Sequence, residues 1–388
     1  MEQVLPNGGA CLLGSLNLTQ FINEKRTDWN YDELKRIIPI CVRLMDNVND
    51  KTIVPLEEQK QQLKDKRRIG LGIMGYGSAL LMMKVKYGSK KALDLTKKLM
   101  EFIANTAYQS SALLASEKGS FPAFIKEKYL ESNFLKVLSP ETIEMIKKYG
   151  MRNSHLLSIQ PTGNSSIFAN CVSGGLEPVF SFQYRRTSIV PYFPEGLEKP
   201  TNINWESKTM IDKMGIWGWI KEGDDHLLRC EYDGVVYKVD KNRGTLKETD
   251  VIDYGVKVLM DHNEWEKDAE WASCTFNMNM DQHIDTMEVL SKYIDSAMSK
   301  TVNIPKNYPY EEFKEIYNKL HKTGTIKGGT TYREGTMSAV LSVAGNPIKS
   351  VEQMIQETTA PKRPAKLECD ILRFQNNKEK WIGFVGLL

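Results

Sequence analysis

From Asp32 to Val54, apolar residues recur three and four positions apart (Leu34, Ile37, Ile38, Cys41, Leu44, Met45, Val48), the stripe of an amphipathic helix. Cys41 lies on that stripe, which predicts a packed core thiol. A second long helix is predicted over Leu93 to Leu114, with Ser120-Phe121-Pro122 beyond its end. A third opens at Ser139-Pro140, carries Glu141 in its first turn and stops at Gly150, the punctuation that caps and N-terminal prolines supply. Helical spacing returns over His283 to Met298 and over Tyr310 to Thr323.

Between the helices the apolar runs shorten. Residues 1 to 18 read as a turn-rich loop leading into a short helix, and Leu156 to Ile159 as a short buried strand. "LLRCEYDGVVYKV" is two β-rich runs joined by Asp233-Gly234, a hairpin signal. "SKTVNIP" is extended, "KGGTTYREGT" is strand and turn, and the run from Trp381 to Leu388 reads as a terminal strand without a partner. Helix alternating with short strands predicts an α/β fold, with residues 186–265 as a small β-containing insertion.

Composition narrows the class. With 388 residues, 41% hydrophobic and 26% charged, the chain can bury a sizeable core and is not broadly disordered. A net charge of +3, with basic residues scattered, gives no reason to expect nucleic acid as a partner. No apolar run reaches the roughly 18 residues of a membrane span, so no membrane partner is expected and a cytoplasmic location is the simplest reading. The six cysteines include no C-x-x-C pair, which points away from a zinc ribbon or a secreted disulfide framework.

Two stretches carry candidate chemistry. A strand runs into Pro161-Thr162-Gly163-Asn164-Ser165-Ser166, and backbone N–H groups and three hydroxyls there could converge on a phosphate at a helix start. An ordinary serine-capped turn is the alternative. Glu2 could accept a proton and Cys11 could form a disulfide, against the plainer pairing of a surface glutamate and a buried cysteine. Gly70-x-Gly72-x-x-Gly75 resembles a dinucleotide fingerprint but follows Lys64-Asp65-Lys66-Arg67-Arg68, where that fingerprint needs an apolar strand. Close backbone packing is the better account of these glycines.

In order along the chain, "EQVLPNGGACLLGSLNL", "RRIGLGIMGYGSALL", "IQPTGNSSIFANCVSGGLEPVFSF", "SKTVNIP", "GGTTYREGT" and "APKRPAKLECDI" resemble the C-terminal half of ribonucleotide reductase catalytic (α) subunits. The resemblance implies the second half of a ten-stranded α/β barrel. Residues 1–185 would hold the active-site finger loop and phosphate loop, 266–345 the remaining barrel elements, and 346–388 a truncated tail. It implies that Glu2 takes the 3′-hydroxyl proton of a ribonucleotide, that Cys11 is one of two reducing cysteines, and that residues 161–166 bind substrate phosphate. The thiyl-radical cysteine of the family stands two residues before the glutamate, so it is expected from a missing N-terminal half, either a separate chain or lost sequence.

Class also follows from the resemblance. The iron-dependent group has two adjacent tyrosines near the position of Thr331-Tyr332, and this chain has one. "TTYREGT" and "KRPAKLECDI" are more similar to the adenosylcobalamin-dependent (class II) group. Adenosylcobalamin and an external dithiol such as thioredoxin or glutaredoxin are therefore the implied cofactors, and a homodimer is an implied assembly. A piece of an iron-dependent large subunit, or a remnant that binds a partner without chemistry, are the competing readings.

Overall fold

Strand and helix alternate through the first part of the chain in the computed structural model, which describes residues 2–10, 12–222, 225–304, 307–333, 341–342, 369–376 and 379–386. The order is β1 (Leu13–Asn17), α1 (Tyr31–Lys51), α2 (Glu57–Lys66), β2 (Gly70–Met74), α3 (Tyr76–Met82), α4 (Lys90–Lys118), α5 (Lys126–Leu130), α6 (Pro140–Tyr149) and α7 (Gly163–Phe168). An antiparallel region follows: β3 (Gln183–Ile189), β4 (Thr201–Asn204), β5 (Thr209–Ile211), β6 (Gly218–Glu222), β7 (Asp225–Tyr232), β8 (Val235–Asp240) and β9 (Gly244–Ile252). Next come α8 (Tyr254–Asp261), α9 (Met280–Ser291), β10 (Thr301–Ile304), α10 (Tyr310–Lys322), β11 (Thr330–Arg333), β12 (Leu341–Ser342), β13 (Cys369–Asn376) and β14 (Glu379–Gly386).

Five parallel segments lie side by side in chain order. β1 pairs with β2 from Leu13↔Gly70 to Asn17↔Met74. β2 meets segment 155–160 at Leu71↔Leu157, and that segment meets residues 296–299 at Ile159↔Met298. The same run continues into β10, which pairs with β11. Parallel neighbours need long crossovers, and α1 to α6, α9 and α10 supply them. One apolar core holds helices and strands together, with Leu34, Ile38 and Val42 of α1, Leu71 and Ile73 of β2, Leu99 and Ile103 of α4, and Leu157 and Ile159 all in it. This is the α/β class that the alternation predicts.

Local chemistry explains the helix limits. The Asn30 side chain accepts the Glu33 N–H at 3.1 Å to cap α1, and Asp32, Glu33 and Lys51 complement its dipole. Ser139 caps α6 ahead of Pro140, and Gly150, at φ 78°, ends it. The buried face of α1 runs through Leu34, Ile38, Val42 and Met45, so the predicted stripe is rotated. Leu44 and Val48 are 60% and 38% exposed.

Three further expectations are corrected. Residues 13–17 form a strand, with only a 3-10 turn after it at Leu18–Gln20, because β2 offers a parallel ladder. α9 stops at Ser291, before the predicted end at Met298, because the Asp295 carboxylate takes the N–H groups of Leu156 at 2.7 Å and Leu157 at 3.0 Å. Those bonds draw the chain into the sheet. β14 has a partner, β13, joined through Asn376↔Glu379.

The antiparallel region contains a six-stranded sheet in the order β12-β3-β9-β8-β7-β6 and a separate β4–β5 pair. Asp233 and Gly234, at φ 51° and 69°, form the two-residue turn between Tyr232 and Val235, the left-handed geometry that suits Asp-Gly. Leu197, Trp217, Leu228, Cys230, Tyr237 and Val239 make a separate small core. No helix among the described residues is long and apolar enough to cross a membrane.

Candidate functional site

The phosphate-loop candidate springs from the C-terminal end of a buried parallel segment, the side of an α/β sheet where ligands collect. Leu156, Leu157 and Ile159 are fully buried, which fixes the base of the loop. Thr162 then turns into the left-handed region at φ 54°, ψ 29°, and opens α7. A β-branched residue there is strained, and the Gly175 N–H bonds its Oγ1 at 2.8 Å. The first N–H groups of α7 have no intrahelical acceptor. Pro161, Gly163, Asn164 and Ser165 are exposed.

The hydroxyls do not all face outward. Thr162 and Ser166 are buried, and the Ser166 hydroxyl donates to the Gly163 carbonyl at 3.2 Å. Ser165 alone of the three presents an exposed side chain. The glycines that follow complete the turn by close approach: a Cβ on Gly174 or Gly175 would lie 2.6 Å from the carbonyl oxygens of Pro161 and Gln160 respectively.

Glu2, half-buried, comes to the same sheet. Its carbonyl accepts the Ala297 N–H at 3.1 Å, and the Ala297 carbonyl accepts the Ile159 N–H at 3.1 Å. Glu2 thus stands two hydrogen-bonded steps from the strand that carries the phosphate candidate. Next to it, the buried Gln3 Oε1 accepts from Ser296 Oγ at 2.8 Å and Arg68 Nη1 at 3.4 Å. Cys11, the other catalytic candidate, lies outside the described residues. Among those residues no group of three or more His, Cys, Asp or Glu is arranged to hold a metal.

Gly70 and Gly72 are explained by what crosses them. A Cβ on Gly70 would meet Ser158 Oγ at 2.2 Å and Gln3 Nε2 at 2.4 Å; on Gly72 it would meet the Ser158 carbonyl at 2.3 Å and Gln160 Oε1 at 2.9 Å. Gln160 passes over β2 and donates to the Gly14 carbonyl and Ser15 Oγ on β1. Bare backbone at these two positions leaves the space for two glutamines, with no nucleotide needed.

Sequence reasoning missed Gln3, Gln160 and the Glu177–Lys300 pair. A signal existed for the last. Lys300 lies in the extended stretch "SKTVNIP", and a lysine buried in such a segment requires a partner. Lys300 Nζ donates to Glu177 Oε2, and the Thr301 N–H donates to Glu177 Oε1 at 2.9 Å.

Comparison with known proteins adds an independent line. The family model described as "Ribonucleotide reductase, barrel domain" matches residues 1–216 and 234–332; the unmatched gap takes in all of β6 and β7. The vitamin B12-dependent ribonucleoside-diphosphate reductase of Thermoplasma acidophilum is 29% identical over 345 residues, 89% of this chain and 38% of that protein. The protein of the same name from Mycobacterium tuberculosis is 26% identical over 336 residues, 86% of this chain and 40% of its own length. The ribonucleoside-diphosphate reductase subunit alpha of Chlamydia pneumoniae is 31% identical over 229 residues, 53% of this chain and 21% of its own. The chain therefore spans less than half the length of each of these curated relatives.

Proposed function

This chain belongs to the ribonucleotide reductase barrel-domain family, and from that membership we propose that it forms the substrate-phosphate and proton-accepting part of a nucleotide-reducing centre. The observation that carries this reading is the ladder from the Glu2 carbonyl through Ala297 to Ile159. It links the backbone of a carboxylate residue, through one intervening residue, to the segment that leads into the Pro161–Ser166 turn. The N–H groups of the exposed residues Gly163, Asn164 and Ser165 would take the phosphate oxygens. Glu2 would accept the 3′-hydroxyl proton and return it later. Cys11 would supply one of two thiols that end as a disulfide.

Two relatives that cover 86% and 89% of this chain are named as vitamin B12-dependent diphosphate reductases. A ribonucleoside diphosphate is therefore the proposed substrate, adenosylcobalamin the proposed cofactor and an external dithiol the proposed reductant. Adenosylcobalamin supplies the radical when bound. The cavity of about 190 Å³ lined by Trp205, Glu206, His226, Leu227 and Asp240 to Asn242 is small and polar and lies in the antiparallel region, so it does not suit a corrin. No step is assigned through it.

The relatives' greater length supports a further polypeptide, in the same protein or in a separate chain, that supplies the radical cysteine and completes a ten-stranded barrel. A homodimer and a cytoplasmic location belong to the same proposal. The decisive experiment combines this chain with the remaining portion of a class II reductase and measures nucleotide reduction with adenosylcobalamin and dithiothreitol. Glu2→Ala should lower turnover by about 10²–10⁴, the usual weight of general base catalysis, and Cys11→Ser should block multiple turnovers. Unchanged turnover in either variant would overturn that residue's role.

A further inference from the structure

Lys300 is fully buried, and its partner carboxylate belongs to the loop that returns from the phosphate candidate. The lysine also donates to the Thr301 carbonyl at 3.1 Å, while Glu177 holds the Thr301 N–H with its other oxygen. One side chain of the loop is thus bound to the sheet at two points. From Glu177 the contacts run back to the loop. The Glu177 N–H bonds the Gly174 carbonyl at 2.7 Å, Tyr87 Oη donates to the Leu176 carbonyl at 2.7 Å, and the Gly175 N–H reaches Thr162 Oγ1 at 2.8 Å. Thr162 is the residue whose left-handed conformation, φ 54°, opens α7.

We propose that the Glu177–Lys300 ion pair is the positioning device of the phosphate turn: it fixes turn 174–177 on the sheet, and that turn holds Thr162 in its left-handed conformation. Neither residue is catalytic. A threonine at positive φ reverts to extended or right-handed backbone unless neighbours over-determine it. Here the over-determining groups are Gly175 and the close backbone of Gly174, and both depend on where Glu177 is tied. A buried ion pair adds little net stability compared with an apolar pair, so positional specificity is the better reason for placing one here. The inference rests on the reading of residues 161–166 as a phosphate site only for its effect on binding; the anchoring of the turn stands apart from it.

Amide hydrogen exchange on the full chain tests the anchoring without ligand. Lys300→Met should speed exchange at the Ser166, Gly175 and Glu177 amides at least tenfold and leave α4 unchanged. Glu177→Gln strands a buried lysine and could unfold the protein, so the double variant Glu177→Gln/Lys300→Met, which removes both charges, is measured alongside. It should keep the wild-type melting temperature within a few degrees and still show the faster exchange. Thr162→Val, which loses the hydroxyl acceptor but leaves the ion pair intact, should speed exchange at Gly175. Wild-type exchange at these amides in a folded double variant, or at Gly175 in Thr162→Val, would overturn the proposal. Calorimetric titration with cytidine diphosphate and pyrophosphate then separates the two layers. At least tenfold weaker binding by the double variant supports both. A wild-type chain, tested with its complementing portion, that binds neither ligand overturns the phosphate reading, while the exchange data still decide the anchoring.

Discussion

The parallel segments β1, β2, 155–160 and 296–304 find their neighbours far along the chain, whereas β6 to β9 each pair with the strand next in sequence. The first arrangement spends whole helices on crossovers and shares one large core. The second needs only short turns and keeps a small core of its own. The candidate chemistry follows the first. Glu2 and the segment that leads into the Pro161–Ser166 turn are linked through Ala297, a residue far from both in sequence, and each is held by residues from other parts of the chain. Local pairing shapes β6 to β9, and β3 and β12 join the far side of that sheet from more distant parts of the chain. A site that needs groups from several places is better served by the parallel arrangement, at the cost of buried polar fastenings.

Breaking one of those fastenings should have the largest effect. Asp46, fully buried, accepts from Arg67 Nε at 2.8 Å, Asn153 Nδ2 at 3.1 Å and Arg152 Nε at 3.2 Å. It joins α1 to the ends of α2 and α6 and to the entry of segment 155–160. Asp46→Ala leaves Arg67, only 8% exposed in its side chain, with the half-exposed Asp50 at 2.7 Å but without its buried carboxylate, and strips Asn153 and Arg152 of theirs. Loss of one member of such a pair costs about 3–5 kcal/mol. Urea unfolding should show that loss, and exchange should rise at the Leu156 and Leu157 amides while β7 and β8 keep their protection. A destabilisation below about 1 kcal/mol would mean that the network behaves like a surface ion pair.

How much of this was legible in the sequence follows the same division. Asp233-Gly234 announced its hairpin because turn geometry is written in two residues. Ser139-Pro140 and Gly150 marked α6 for the same reason. The phosphate candidate and Glu2 were visible as residue types and through the resemblance, but their common sheet was not, since nothing local says that Ala297 bonds both Glu2 and Ile159. Residues 13–17 were misread because "LGSLN" has no strong strand signature and becomes one only beside β2. Close packing at Gly70 and Gly72 was legible in the sequence; the partners that need the space, Gln3 and Gln160, were not, because they lie far from these glycines in sequence.

A second test uses pH, and it concerns the parallel half. Burial pushes the His283 imidazole down from 6.5 to about 2, with the nearby Lys300 charge adding to the effect. The folded state therefore holds His283 neutral while the unfolded chain takes up a proton below pH 6.5. Its contribution is complete above that pH and is lost as the pH falls toward 2, at about 1.4 kcal/mol per pH unit. Asp253 runs the other way. Burial raises it to about 6 against the bonds from Ser78 and Gly255, so its destabilising effect grows as pH rises from 3.8 to about 6. The two oppose each other in wild type, so the comparison with His283→Leu is the informative one. Relative to wild type, that variant should gain about 1.4 kcal/mol for each unit below pH 6.5 in urea unfolding at pH 7, 6 and 5. Parallel stability curves would show that His283 is protonated in the folded protein.

The smallest effect is expected in the antiparallel sheet, from Gly234→Ala. Gly234 sits at φ 69°, and a Cβ there would meet nothing within 4 Å, so the substitution adds no clash. Its cost is that of placing alanine in the left-handed region, about 1 kcal/mol. The consequence should stay in the hairpin, because Leu228, Cys230, Tyr237 and Val239 belong to the separate core. Exchange should quicken at the β7 and β8 amides next to the turn, with the Asp295-bound amides of Leu156 and Leu157 unchanged. If protection at Leu156 and Leu157 falls together with that of the hairpin, the two sheets unfold as one unit, and separate cores have not given separate stability.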